Sequence, residues 1–346
     1  MTSDKKIRVG ISIGDLNGIG PEIILKSFED QRMYDFCTPV VFASFKLMGF
    51  FKKHFGSKVN LFEYKNVKNM SPNKMNVVNV WREHVNVNFG DEDPEVGKLA
   101  IKSLKAAVAA LKRREIDVLV TAPINKFNSQ SEDFNFPGHT DYLAKELEGE
   151  SLMFMVSDGL KVGLLTDHVP VKDVPQHINK ELILSKIQTV TKSLKEDFRV
   201  SKPKIAVLSI NPHAGDQGVI GKEDDEILKP TLEELRADNQ LVYGPYAADS
   251  FFGNKAYESF DAIIASYHDQ GLIPFKTITF GEGVNYTAGL SKIRTSPDHG
   301  TAFEIAGKGV ADEGSFKIGI FMALKIYKNR LEYSEYAQNP LQVVKD

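Results

Sequence analysis

Residues 261–294, DAIIASYHDQGLIPFKTITFGEGVNYTAGLSKIR, decide how the chain is read. Asp261 to Ala265 is a short apolar run rich in Ile, the pattern of a buried strand. It leads straight into Ser266-Tyr267-His268-Asp269-Gln270-Gly271, a polar cluster at the strand's carboxyl end, where open α/β sheets bind their ligands. Lys276, Asn285 and Arg294 follow, near two β-like runs, Thr277–Phe280 and Val284–Leu290, that predict a hairpin. A histidine able to bind metal, a carboxylate, an amide and two cations suit a small anionic substrate held on a metal. A strand end followed by a solvated hairpin explains the same residues, so this stretch alone leaves both readings open.

Working outward, the same motif recurs. Val162 to Thr166 is an apolar strand that ends in Asp167-His168, and Ile205 to Ile210 is another that ends in Asn211-Pro212-His213. His168, His213 and His268 thus share one context, the carboxyl end of a strand, and three imidazoles at one sheet edge suit a divalent metal. Towards the N-terminus, Ile7, Val9, Ile11 and Ile13 alternate as a strand and open into Gly14-Asp15-Leu16-Asn17-Gly18-Ile19-Gly20. Pro21 then starts a helix, but the spacing is not the dinucleotide fingerprint, so the glycines read as a tight turn beside a cleft. Further strands are expected at Thr38 to Ala43, Asn76 to Val80 and Val118 to Val120, with helices at Phe45 to His54 and Gly97 to Arg114. Thr140 is expected to cap a helix running to about Leu147, which sets His139 at an electropositive helix start suited to phosphate. Helical residues from Leu182 to Leu194, a short helix at Asp249-Ser250, and a helix from Phe316 to Tyr327 with a polar tail complete the pattern. His54 and His84 lie among charged residues and read as surface. The segment Gly215–Lys222 is no phosphate loop, having one residue too many and Glu223 in place of Ser or Thr. The acidic run 223–226 instead suits a helix's first turn.

At 346 residues the chain is long for one core, so two domains are expected, and alternating strands and helices predict a largely parallel sheet. A net charge of −3 supplies no attraction for nucleic acid or an acidic membrane. Neither partner is expected. No run approaches a membrane span, and the N-terminal apolar run is too short, and ends wrongly, for a signal peptide. Cys37 stands alone, which excludes an intrachain disulfide and fits a cytoplasmic protein.

His299-Gly300-Thr301-Ala302 with Ile305-Ala306-Gly307-Lys308-Gly309 resembles the adenosine-binding loop of the isocitrate and isopropylmalate dehydrogenases. The motifs GDLNGIGPEI, TAPINK, FPGHTDYLA, LLTDHVPVKDV, LSINPHAGDQGVIGKED, GPYAADSFF and SYHDQGLIPFK are similar, in order, to those of the 4-hydroxythreonine-4-phosphate dehydrogenase family. The resemblance covers about Val9 to Gly309. It implies a two-domain α/β/α fold of the isocitrate dehydrogenase type, with residues 1–125 and 300–346 in one domain, 126–299 in the other, and an active-site cleft between them. It also implies a homodimer with metal ligands drawn from both subunits.

By motif, His168, His213 and His268 would hold one divalent ion per subunit, zinc, magnesium or cobalt. His139, Thr140, Lys276, Asn285 and Arg294 would bind a small phosphorylated substrate, and His299, Gly300, Thr301 and Ala302 would bind NAD. The absence of Arg from 299–309 favours NAD over NADP. Asp249, Asp269 and Lys276 are the candidate catalytic residues, although either aspartate would equally serve to orient a ligand histidine. The chain departs from the common family pattern at Leu16-Asn17, where Pro and a small residue are usual, and at Asp141, where Glu is usual. A sister dehydrogenase acting on another phosphorylated hydroxy acid, and a non-catalytic metal- or ligand-binding protein on the same scaffold, are the alternatives.

Overall fold

The computed structural model describes residues 6–64, 70–131, 134–136 and 138–338, so Pro137 and the end of the expected polar tail lie outside the described residues, while the start of that tail is helical, because the last helix runs Gly314–Gln338 and not only to Tyr327. Its strands in chain order are β1 (Ile7–Ser12), β2 (Cys37–Ala43), β3 (Leu61–Tyr64), β4 (Met75–Asn79), β5 (Val118–Thr121), β6 (Gly149–Val156), β7 (Lys161–Leu164), β8 (Lys204–Leu208), β9 (Leu241–Tyr246), β10 (Ala262–Ala265), β11 (Val284–Leu290) and β12 (Arg294–Pro297). Contacts divide the chain into two units, Met1–Gly149 with Gly281–Leu324, and Glu150–Phe280 with Lys325–Asp346. Residues 126–149 and 281–299, expected in the second domain, therefore belong to the first unit, and the chain from Lys325 onward belongs to the second.

In the first unit the strand order is β3-β4-β2-β1-β5-β12-β11. All neighbours are parallel except the closing β12–β11 hairpin. A parallel sheet is covered on both faces, which is why β2 and β5 are buried along their whole length and do not alternate. The helix Pro94–Lys112 starts three residues before the expected Gly97, because Asp93 caps it by accepting from the Glu95 N–H at 2.8 Å and Pro94 fits its first turn. Its buried face, with Ile101, Leu104, Val108 and Leu111, packs with Phe42 and Leu119 in one core. The helix lies so close to the chain after β5 that a Cβ on Gly97 would stand 1.9 Å from the Asn128 carbonyl oxygen.

In the second unit the order is β6-β7-β10-β8-β9, with only β6 antiparallel to its neighbour. Here β6 and β9 were not foreseen, since β6 opens on polar Gly149-Glu150-Ser151 and β9 carries Gly and Pro. The expected strand Thr277–Phe280 does not form. Residues 268–278 are instead a helix with Pro274 inside it, so Lys276 lies in a last helical turn and not on a hairpin. Leu272 and Phe275 of this helix are buried in the core formed with Val162, Leu164, Ile263 and Ala265, and that burial overrides the β preference of the run.

The helix His139–Glu146 begins at His139 with Gly138 as its cap, so Thr140 sits within the first turn and caps nothing. The acidic run does open a helix as expected, with Glu223 at the cap of Asp224–Leu228 and Asp224, Asp225 and Glu226 in its first turn. Asp224 is buried and accepts from the Ile210 N–H (2.8 Å), the Asn211 N–H (2.9 Å) and the Asn211 Nδ2 (3.1 Å), tying down the segment after β8.

Two glycine substitutions test this packing in opposite directions. A Cβ at Gly49, in the helix Phe45–His54, would meet nothing within 4 Å, so Gly49→Ala should stabilise the protein by about 0.5–1 kcal/mol. Gly97→Ala should destabilise it by about 1–3 kcal/mol through overpacking. Urea midpoints of the two variants are the measurement. A stable Gly97→Ala protein would contradict the close approach.

Candidate active site

The carboxyl edge of the first unit carries a row of polar residues set by strand register. Ser12 of β1 faces Thr121 of β5, and Asn285 of β11 faces Ser296 of β12. Arg294, at the start of β12, is 2% exposed and is among the largest buried side chains of the protein. Its Nε and Nη2 donate to Thr121 Oγ1 at 3.0 and 2.6 Å, and its Nη1 donates to Thr287 Oγ1 at 3.2 Å. Among the described residues no carboxylate pairs with it. Burial brings this guanidinium down to about 9, so it stays charged at neutral pH. A buried cation held only by hydroxyls is poorly compensated, and an anionic ligand would supply what the protein does not.

His139 is close enough to feel that charge. Burial, then Arg294, then Lys126 hold its imidazole well below the ordinary histidine value, so it is neutral at pH 7. Its Nε2 is buried and has no hydrogen-bond partner, and the same is true of Asn285 Oδ1. The site therefore holds a charged donor, a neutral imidazole and an amide oxygen, two of them with unused hydrogen-bonding atoms. Thr140, in the turn beside His139, is buried as well. Lys126, which sequence reading passed over within TAPINK, is an additional positive charge acting on His139.

The second unit brings the three expected metal histidines to one sheet edge. Strands β7, β10 and β8 are adjacent and parallel, and His168, His268 and His213 follow their carboxyl ends in that order. The rings of His168 and His268 have centroids 6.3 Å apart. His268 Nδ1 lies 2.7 Å from Asp269 Oδ1, the arrangement that leaves Nε2 for a metal and fixes the ring.

His213 begins a run, through Gln217, in which every residue has left-handed backbone angles, just after the residues 210 and 211 that Asp224 holds. Such a run is costly for L-residues and is concentrated at functional sites. Among the described residues of one chain, no three ligating side chains are gathered as a ready metal site. Asp249 is exposed in the first turn of the helix Ala248–Gly253, and Lys276 lies in the last turn of the helix His268–Ile278.

The 299–309 loop packs against the glycine-rich turn after β1. Ile19 N–H donates to the Thr301 carbonyl at 3.0 Å, and a Cβ on Gly18 would stand 2.9 Å from that oxygen. Ala302 is left-handed, with φ of 44°. His299 Nε2 is buried without a partner, which leaves a polar atom for a ligand. Leu16 is in the core, and Asn17 is buried with its side chain bound to the backbone of 88 and 91.

The family model described as pyridoxal phosphate biosynthetic protein PdxA matches residues 35–323, a span containing every candidate site residue. A 4-hydroxythreonine-4-phosphate dehydrogenase of Bacteroides thetaiotaomicron is 45% identical over 341 residues, covering 98% of this chain and 94% of the relative. One from Aquifex aeolicus is 41% identical over 89% of this chain and 94% of its own length. The crystal structure of such an enzyme from Klebsiella pneumoniae covers 94% of this chain and 99% of its own, at 31% identity and a TM-score of 0.80. A terephthalate 1,2-cis-dihydrodiol dehydrogenase from Burkholderia xenovorans shares the fold at 24% identity, covering 93% of this chain and 98% of its own, with a TM-score of 0.61. No helix among the described residues is long and apolar enough to cross a membrane.

The depressed His139 value has a consequence for stability. The unfolded chain takes up a proton at about 6.5, whereas the native imidazole resists it, so the unfolded state binds more protons below that pH. The His139 contribution is therefore present above about pH 6.5 and is lost as pH falls through the window between 6.5 and the lower native value. His139→Gln should lose less stability on acidification than the wild type, measured by urea unfolding above and below that pH. Equal losses would contradict a neutral His139 with its Nε2 buried.

Proposed function

Because this chain belongs to the PdxA family, the 4-hydroxythreonine-4-phosphate dehydrogenases, we propose that it oxidises 4-phosphooxy-L-threonine with NAD in pyridoxal phosphate biosynthesis. The product is a β-keto acid that loses CO2 to give 3-amino-2-oxopropyl phosphate. The observation that carries this reading is Arg294, buried with two threonine hydroxyls and no carboxylate, next to a neutral His139.

In this mechanism Arg294 binds the phosphate as a planar fork. Neutral His139 donates its Nε2 hydrogen to a phosphate oxygen, and Thr140 adds its hydroxyl. Lys276 contributes a point charge to the same anion. The Asn285 amide oxygen accepts from the substrate's amino or hydroxyl group.

His168, His213 and His268 would hold the divalent ion, and their imidazole chemistry suits zinc or cobalt better than magnesium. Such an ion supplies Lewis-acid stabilisation of the charge developing on the substrate oxygen, and NAD supplies the hydride acceptor. Asp269 keeps the His268 ring oriented, a positioning role its 2.7 Å contact supports. Asp249 is then the carboxylate left to receive the hydroxyl proton. His299, Gly300, Thr301 and Ala302 would receive the dinucleotide.

We also propose that the active protein is a homodimer with metal ligands from both subunits. One chain gathers no ready three-ligand site among its described residues. Exposed Val219, Ile220, Ile273 and Ile278 also lie on the very segments that carry His213 and His268.

The direct test is the appearance of reduced cofactor when purified protein, NAD, a divalent metal and 4-phosphooxy-L-threonine are mixed. His213→Ala should reduce turnover to background with its circular dichroism unchanged, and near-normal activity and metal content would sink the metal assignment. Lys276→Met should raise the substrate KM by about ten- to a hundredfold, the loss of one charge-assisted hydrogen bond, with little change in the KM for NAD. A silent Lys276→Met would leave this lysine as a solvated helix residue.

A further inference from the structure

His54, at the end of the helix Phe45–His54, is exposed and reads from sequence as an ordinary surface residue. Its Nε2 lies 2.9 Å from the carbonyl oxygen of Gly307, 253 residues away in the chain. Its ring stands 4.7 Å from that of Phe89, at 33°. Gly307 is left-handed, with φ of 75°, and a Cβ there would come within 2.5 Å of the Phe89 ring. Imidazole and phenyl together therefore grip one residue of the 299–309 loop.

The ends of that loop are fixed by other means. Thr301 is held by the Ile19 N–H. Lys26 Nζ donates to the Gly309 and Ala311 carbonyls at 2.9 and 2.7 Å, and Glu22 Oε1 accepts from the Ala311 N–H at 2.8 Å. Between them, residues 302–308 bond mainly among themselves: Ile305 N–H to Ala302, Ala306 N–H to Phe303, and Lys308 N–H to Ile305. Among the described residues, the side chain that reaches this middle stretch from outside with a hydrogen bond is His54.

Phe89 is in turn fixed in place. Asn17 Oδ1 accepts from the Asn88 N–H at 2.9 Å, Asn17 Nδ2 donates to the Asp91 carbonyl at 3.0 Å, and the Gly90 N–H donates to the Asn17 carbonyl at 2.9 Å.

We propose that His54 is a positioning residue for the dinucleotide. Stacked on the Phe89 shelf, it holds the Gly307 carbonyl and so keeps the 302–308 turn in the shape that receives the cofactor. This rests on the assignment of the 299–302 loop to NAD. The role is in cofactor affinity, because His54 touches neither the phosphate residues nor the metal histidines.

The test uses the full-length, metal-loaded protein. NADH affinity is read by fluorescence titration, the KM for NAD and for the phosphorylated substrate by steady-state kinetics, and amide exchange of 299–309 is followed with and without NADH. In the wild type, NADH should slow exchange of the loop. His54→Ala should speed exchange there without NADH, weaken NADH and raise the KM for NAD by about three- to tenfold, the loss of a hydrogen bond, and leave the substrate KM unchanged. His54→Gln, which can place an amide donor near the same oxygen, should recover much of the loss, whereas His54→Phe, which keeps only the stack, should not. Loop protection by NADH in the wild type, with unchanged NADH affinity in His54→Ala, would overturn the role of His54 alone. A wild-type loop that NADH does not protect would overturn the loop assignment and this role with it.

Discussion

A guanidinium taken out of water needs compensation, and among the described residues Arg294 finds it only in the hydroxyls of Thr121 and Thr287. The rest of the first unit is arranged around that deficit. The parallel pairing of β12 on β5 brings Arg294 beside Thr121, and the β11–β12 hairpin returns Asn285 to the same edge. Burial, and then the charge of Arg294, keep His139 neutral, so the imidazole can donate a hydrogen bond to an anion without itself being a cation. Removing the arginine would ease the burial and, under the proposed function, also remove the main attraction for phosphate. A stability cost is carried at the site where binding is needed.

The second unit carries the histidines proposed to bind metal on a comparable edge. Three neighbouring parallel strands end together, and the chain leaves each of them through a histidine-bearing segment. The most costly of these segments, the left-handed run from His213, follows directly on residues 210 and 211, whose N–H groups a buried Asp224 holds. His268 is held by Asp269. Fixing donors in advance lowers the entropy lost when a ligand is bound, which is the usual reason for placing such residues on a rigid edge.

Much of this was legible because it follows from short-range pattern. Apolar runs ending in Asp-His, Pro-His and Tyr-His announce strand ends, and parallel strands put their carboxyl ends on one side. Where reading failed, long-range packing had overridden local preference. Thr277 to Phe280 has strand-forming residues, yet Leu272 and Phe275 draw the preceding segment into a core that only a helix can reach, and Lys276 goes with it. Thr140 resembles a cap, but Gly138 permits the helix to start two residues earlier. Neither the burial of Arg294 nor the reach of His54 to Gly307 has any local signature, since each depends on partners more than 170 residues away. The departures at Leu16 and Asn17 proved informative in the structure, where one fills the core and the other braces the segment 88–91.

A buried, uncompensated Arg294 beside a neutral His139 should select a phosphorylated substrate over its unphosphorylated counterpart. Calorimetric titration of the metal-loaded wild-type protein with 4-phosphooxy-L-threonine and, separately, with 4-hydroxy-L-threonine isolates the phosphate without any substitution. The phosphorylated compound is predicted to bind at least about ten- to a hundredfold more tightly, the equivalent of one charge-assisted hydrogen bond. Equal affinities for the two compounds would contradict that selection.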